Sequence, residues 1–174
     1  MSRWFRRGRL PAELRPPLDP DERLVAWAAV ADPAGAAVAT TAGLFLPGRE
    51  RRLGWHEIHR ASWSGRALTV TPAEVVAERP GYLVTADRAP VTVPLADPGD
   101  LPRVVRSRVT RSVPFSSRHR VPGGGVLVVA RRVPGVDGLC WAVRYDPGTD
   151  PGAPAVRDAT DALVAAHRTA RDPG

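Results

Sequence analysis

The sequence predicts an α+β fold: an antiparallel β-barrel or roll capped by a helix, followed by a β-hairpin and a C-terminal helix. Three observations lead there. Val38–Thr71 reads as several short strands separated by turn residues, with Trp55 and Trp63 placed to anchor a small barrel. Further short apolar runs follow to Leu95 at a spacing that suits a meander, barrel or sandwich rather than alternating strands and helices. Two later segments, one beginning near Asp100 and one running from about Ala155 to Arg171, carry helical periodicity instead.

In order along the chain, Leu24–Ala31 is a nearly continuous apolar run closed by the turn Asp32-Pro33-Ala34-Gly35. Its alanines would also allow a helix, but its length and flanking turns favour a strand. Val38–Thr41 and Leu44–Leu46 follow, with Pro47-Gly48 as punctuation. Arg51–Leu53 leads to a strand bearing Trp55, Ile58 and Trp63, then a Ser64-Gly65 turn and Ala67–Thr71. Tyr82–Thr85 and Val91–Leu95 are expected to pair across an Ala86-Asp87-Arg88 corner. A helix should begin at Asp100 as N-cap with Pro102 in its first turn, Leu101, Val104, Val105 and Val109 on one face and Arg103 and Arg106 pointing away. Arg108 falls toward the apolar side. A hairpin joins Val126–Val133 to Leu139–Tyr145, and a last helix carries Val156, Ala159, Thr160, Leu163 and His167 on one stripe.

The 174 residues suit one ordinary domain, or a small domain with an appendage, and are enough to bury a core. The expected organisation is a basic, poorly ordered tail over residues 1–20, a barrel with its helix over 21–114, and a hairpin-plus-helix extension over 115–174. Pro16, Pro17 and Pro20 block helix in the tail, and its Trp4–Phe5 pair could dock on the domain or sit at a membrane interface. No apolar window reaches the length of a membrane span, the N-terminus has no apolar signal region, and Cys140 is alone, so a cytoplasmic address is expected, with peripheral membrane contact as the variant.

The net charge of +7 is regional. Arg103, Arg106, Arg108, Arg111, Arg118 and Arg120 fall in residues 101–120 with no acid among them. All 25 basic residues are arginine, which together with abundant Ala, Val, Gly and Pro reflects codon usage in a GC-rich genome before it reflects recognition. Position is the stronger signal: a regional excess of cations attracts an anionic partner.

Glu22–Val25, Gly43-Leu44-Phe45-Leu46 and Trp55-His56-Glu57-Ile58, set in about seven short strands before an amphipathic helix, resemble the bacterial form of the pleckstrin-homology-like fold over residues 21–113. The chain is also similar to an uncharacterised conserved family of GC-rich bacteria, a resemblance that implies no activity. The first resemblance implies a scaffold that binds a partner, a protein before other classes. It does not carry the family's inositol-phosphate grip, because the loop Asp32-Pro33-Ala34-Gly35-Ala36 has no cation.

Other motifs point away from catalysis. His56-Glu57-x-His59 would share a face on a helix and could then hold a metal, but on a strand the two rings diverge. His167 is expected to pack in the last helix with one nitrogen satisfied, His119 to lie at the surface between arginines, and Cys140 to be a small buried filler. Gly123–Gly125 lacks the strand–helix context and the lysine of a phosphate loop, and Asp146–Gly152 lacks the ligand alternation of a calcium loop. No cofactor, metal or catalytic residue is therefore expected. The leading expectation is a non-enzymatic protein-interaction or scaffold module with Arg103, Arg106, Arg111, Arg118 and Arg120 as its partner surface, the partner being an acidic protein. Nucleic acid or an anionic membrane surface is the alternative partner, met through the same arginines and the tail. An enzyme using His56, Glu57 or Cys140 is the least favoured reading.

Overall fold

The computed structural model describes residues 8–171. Eleven strands and two α-helices run β1 (Leu24–Val30), β2 (Gly35–Thr40), β3 (Gly43–Phe45), β4 (Leu53–Gly54), β5 (Ile58–Trp63), β6 (Ala67–Arg79), β7 (Tyr82–Asp87), β8 (Val91–Pro94), α1 (Leu101–Arg111), β9 (Phe115–Val121), β10 (Gly124–Arg131), β11 (Cys140–Tyr145) and α2 (Pro154–Arg171). The fold is α+β, mostly strand, with sheet curled into a half-barrel.

β1 to β4 form one antiparallel sheet in sequence order. β5, the first half of β6 and β8 form the adjoining antiparallel strands, and a bridge between Val30 and Leu95 links the two groups. Ala26, Ala28, Val30, Ala37, Ala39, Leu44, Ile58, Leu68 and Val70 point into the space between them. α1 lays Leu101, Val105 and Val109 on this core, as its apolar period requires. Arg108 is half-buried, in keeping with its place on the helix.

The near-continuous apolar run of β1 has a reason. Its second face is packed at Trp27, which meets Leu10, Leu14, Ala36, Val38 and Phe45, while Val25 and Ala29 on that face stay exposed. Leu10, inside the segment expected to be a tail, is buried against the sheet, and a 3-10 turn spans Ala12–Leu14. Trp4–Phe5 lies outside the described residues.

The second half of β6 leaves the roll and pairs with β7, after which the sheet continues β11, β10, β9. β7 and β11 run parallel and the rest of this part is antiparallel. α2 covers one face, burying Val156, Thr160 and Val164 over Tyr82, Val84, Val126, Val128, Trp141 and Val143. Two expectations are corrected here. Tyr82–Thr85 and Val91–Leu95 do not pair with each other, because β6 is long enough to take β8 along its first half and β7 along its second. Trp55–Glu57 is a 3-10 turn rather than strand, with Glu57 accepting the Gly54 N–H at 2.8 Å to close it. A cut between residues 114 and 115 would also cross the second sheet, since β7 precedes that point and β11 follows it.

Candidate functional site

Three of the five predicted arginines meet in one place. Arg103, Arg106 and Arg111 line a groove of about 530 Å³ together with Trp63, Pro98, Pro102, Ser107 and Thr110. The local sequence builds it directly. Pro102 starts α1, the apolar residues turn the helix onto the core, and the arginines and hydroxyls are left on the outward side. β5 ends at Trp63, whose half-buried ring packs on the first core and closes the groove's other wall.

The charges in this groove are poorly neutralised. Arg103 has Asp100 at 3.7 Å, an exposed pair of the kind that contributes little. Arg106 and Arg111 are exposed and form no ion pair with any described residue. Guanidinium groups in such a position offer bidentate donors to carboxylate or phosphate, and Ser107 and Thr110 add hydroxyls.

Arg118 and Arg120 lie elsewhere. Residues 115–121 are a strand, β9, and not a loop trailing from the helix, so the single surface expected from the sequence splits in two. Arg118 pairs with Asp146, and both arginines face away from α2 by the alternation of the strand.

The His56-Glu57-x-His59 residues are also separated. His56 lines a cleft of about 450 Å³ with Asp19, Arg51, Arg52 and Glu57. Its Nδ1 is buried without a hydrogen-bond partner among the described residues, and burial pushes its pKa down. The charges around it are spent on one another. Arg51 donates to Glu57 at 3.0 and 3.2 Å, and Arg52 donates to Asp19 at 2.9 Å and Glu22 at 2.8 Å. Burial alone would raise the Glu57 pKa, but Arg51 and the Gly54 N–H outweigh it and hold the carboxyl low. Glu22, its side chain 1% exposed, also accepts from the Thr40 hydroxyl and the Asp19 N–H, so this cleft fastens the N-terminal segment to the roll.

His59 goes the other way, with Nδ1 2.6 Å from Asp87 Oδ1, where Arg144 also donates at 2.7 Å. Burial, then Arg144 and Arg131, lower the His59 pKa against the pull of Asp87. Among the described residues no three His, Cys, Asp or Glu side chains gather as a metal would require. Cys140 is half-buried rather than enclosed. His119 is not a free surface residue: its Nε2 lies 2.9 Å from Nε2 of His167, which satisfies the nitrogen expected for the helix histidine. No signal in the sequence could have joined these two, because the contact is between β9 and α2. No helix among the described residues is long and apolar enough to cross a membrane.

Compared with protein-family models, with curated proteins and with solved structures, the chain matches none.

Proposed function

We propose that the protein is a non-enzymatic interaction module: a pleckstrin-homology-like roll capped by α1 that receives an acidic protein partner in the groove beside Trp63. The observation that carries this reading is the convergence of Arg103, Arg106 and Arg111 on one groove with two of the three unpaired among the described residues. An unpaired exposed arginine has no internal carboxylate to give up, so the attraction is available to a partner rather than already consumed. Seven strands, β1 to β6 and β8, followed at once by an amphipathic helix, support the likeness to the pleckstrin-homology-like scaffold, with the β6–β7 hairpin as an excursion from it.

The test is fluorescence anisotropy with a labelled glutamate-rich peptide against wild type and R103E/R106E/R111E. Binding should weaken by at least about tenfold in the variant and fall with added salt. Equal binding by both proteins would remove the reading.

A second reading has its own observation. Leu18, Leu24 and Val25 are exposed apolar residues, and they lie with Arg9 and Arg15 around one shallow groove of about 610 Å³. Apolar side chains ringed by cations suit an anionic lipid surface. Sedimentation with vesicles containing phosphatidylserine separates the two: the lipid reading expects L18E/L24E/V25E to abolish binding, and R103E/R106E/R111E to leave it intact.

A further inference from the structure

Through Trp63 the groove beside α1 adjoins a strand whose other side takes no strand partner among the described residues. Among the described residues β5 is the terminal strand of its sheet, paired with β6 along one side and with no strand along the other. The backbone N–H and C=O groups on an open edge are a template for another strand. The usable stretch is bounded. At one end the Ile58 carbonyl already accepts from buried Arg131 at 3.3 Å, and at the other Ser64 turns the chain toward Ala67. Residues 59–63 remain between these limits.

The side-chain pattern gives the edge a direction. Ala61 and Trp63 face the first core and the α1 side, while Arg60 and Ser62 are exposed on the other. A strand added beside β5 would alternate in step, sending every second side chain toward α1. Along α1, Arg103 and Arg111 are eight residues apart, a rise of about 12 Å. Acidic residues at three alternate positions of an extended peptide span about 13 Å. The lengths match.

We infer that the open edge of β5 and the arginine face of α1 form one composite site for an extended acidic peptide, bound by strand addition to residues 59–63 with its alternate carboxylates on Arg103, Arg106 and Arg111. This rests on the acidic-partner reading above and specifies the partner's shape: an extended segment with acids at every second residue, in place of a helix or a folded acidic surface. Backbone pairing supplies affinity and the arginine face supplies register, a division that strand addition uses generally. Arg60 on the exposed side keeps the edge from pairing indiscriminately, since a charged residue on an edge strand deters unmatched neighbours.

The experiment uses the full chain and three labelled probes: Ac-Glu-Val-Glu-Val-Glu-Val-Glu-amide, its block isomer with the four glutamates consecutive, and the alternating peptide N-methylated at every residue, which blocks pairing along either edge. The alternating probe should bind at least about tenfold more tightly than either of the others. Hydrogen exchange should slow at residues 59–63 when it is bound. Equal affinity of the block isomer or of the N-methylated probe, or unchanged exchange at residues 59–63, overturns strand addition. If all three probes bind alike and R103E/R106E/R111E abolishes all of them, the acidic-partner reading survives and the composite site does not. If no probe binds, the composite site falls, and the glutamate-rich peptide of the earlier test then decides the broader reading.

Discussion

Arg131 is 8% exposed and forms no ion pair with a described residue. Its guanidinium donates to the Ile58 carbonyl and to Ser112 Oγ, each at 3.3 Å, and Ser112 in turn donates to the Trp55 carbonyl at 3.2 Å. Burial, with Arg144 adding repulsion, pushes its pKa down to about 10, so it stays charged at neutral pH. It is a side chain of β10 holding the turn and helix end of the other core. Arg131→Ala should cost about 1–3 kcal/mol by stranding the Ile58 carbonyl. Arg131→Met, which restores most of the volume, should recover part of that in urea unfolding; a wild-type midpoint for the alanine variant would show that the bridge carries no energy. The histidines give a pH dependence. His56 and His59 both have lowered pKa values, chiefly from burial, so the folded state binds protons less readily than the unfolded chain. Stability is then full above the unfolded value of about 6.5 and is lost as the pH falls through the lower folded values. The melting temperature should drop between pH 7.5 and pH 5, and His59→Gln should flatten the drop. An unchanged slope in that variant would remove His59 from the account.

At the scale of elements, the apolar strands were legible because their inward residues recur at every second position, as Leu68 and Val70 do in β6, or because an outward residue is packed as well, as Trp27 is in β1. The two helices were legible from period and from Pro102. β9 was not. Its sequence, FSSRHRV, is polar because its outward face meets solvent at the edge of the sheet, and only Phe115, His119 and Val121 mark the side toward α2. That miss also explains the site. A run of six arginines reads as one patch when residues 112–120 are taken as loop, and as two patches when they turn into a strand. Trp63's place in the groove depends on β5 lying beside α1, which no local pattern announces. One element carries a sharp prediction. A β-carbon at Gly43 would run into the Leu53 carbonyl, its own partner across the β3–β4 pair being Gly54. Gly43→Ala should therefore part these strands and cost about 1–3 kcal/mol, read from a chemical denaturation midpoint. Leu101→Ala, emptying a fully buried position of α1, should cost about 2–5 kcal/mol by the same measurement. Values near zero for both would mean that the first core is packed otherwise.

The whole molecule is organised around one thirteen-residue strand, β6, whose first half lines the first core and whose second half, exposed on its surface, pairs with β7 and so joins the second sheet. Side chains on a strand alternate, so a slip of one residue would turn Leu68 and Val70 out of the first core and misalign the pairing with β7 at the same time. The bulge between Val75 and Ala77 already occupies the one irregularity in its pairing with β7. The two halves of the molecule thus share a single alignment, and this bears on what changes in length the chain can absorb. Lengthening the connection at residues 133–138 by a few residues should leave soluble yield and the melting curve near wild type. One alanine inserted between Leu68 and Val70 should abolish both, even though the added mass is smaller. Across descendants of such a chain, growth and loss should accumulate at the hairpin tips, while the stretch from Ala67 to Arg79 keeps its length.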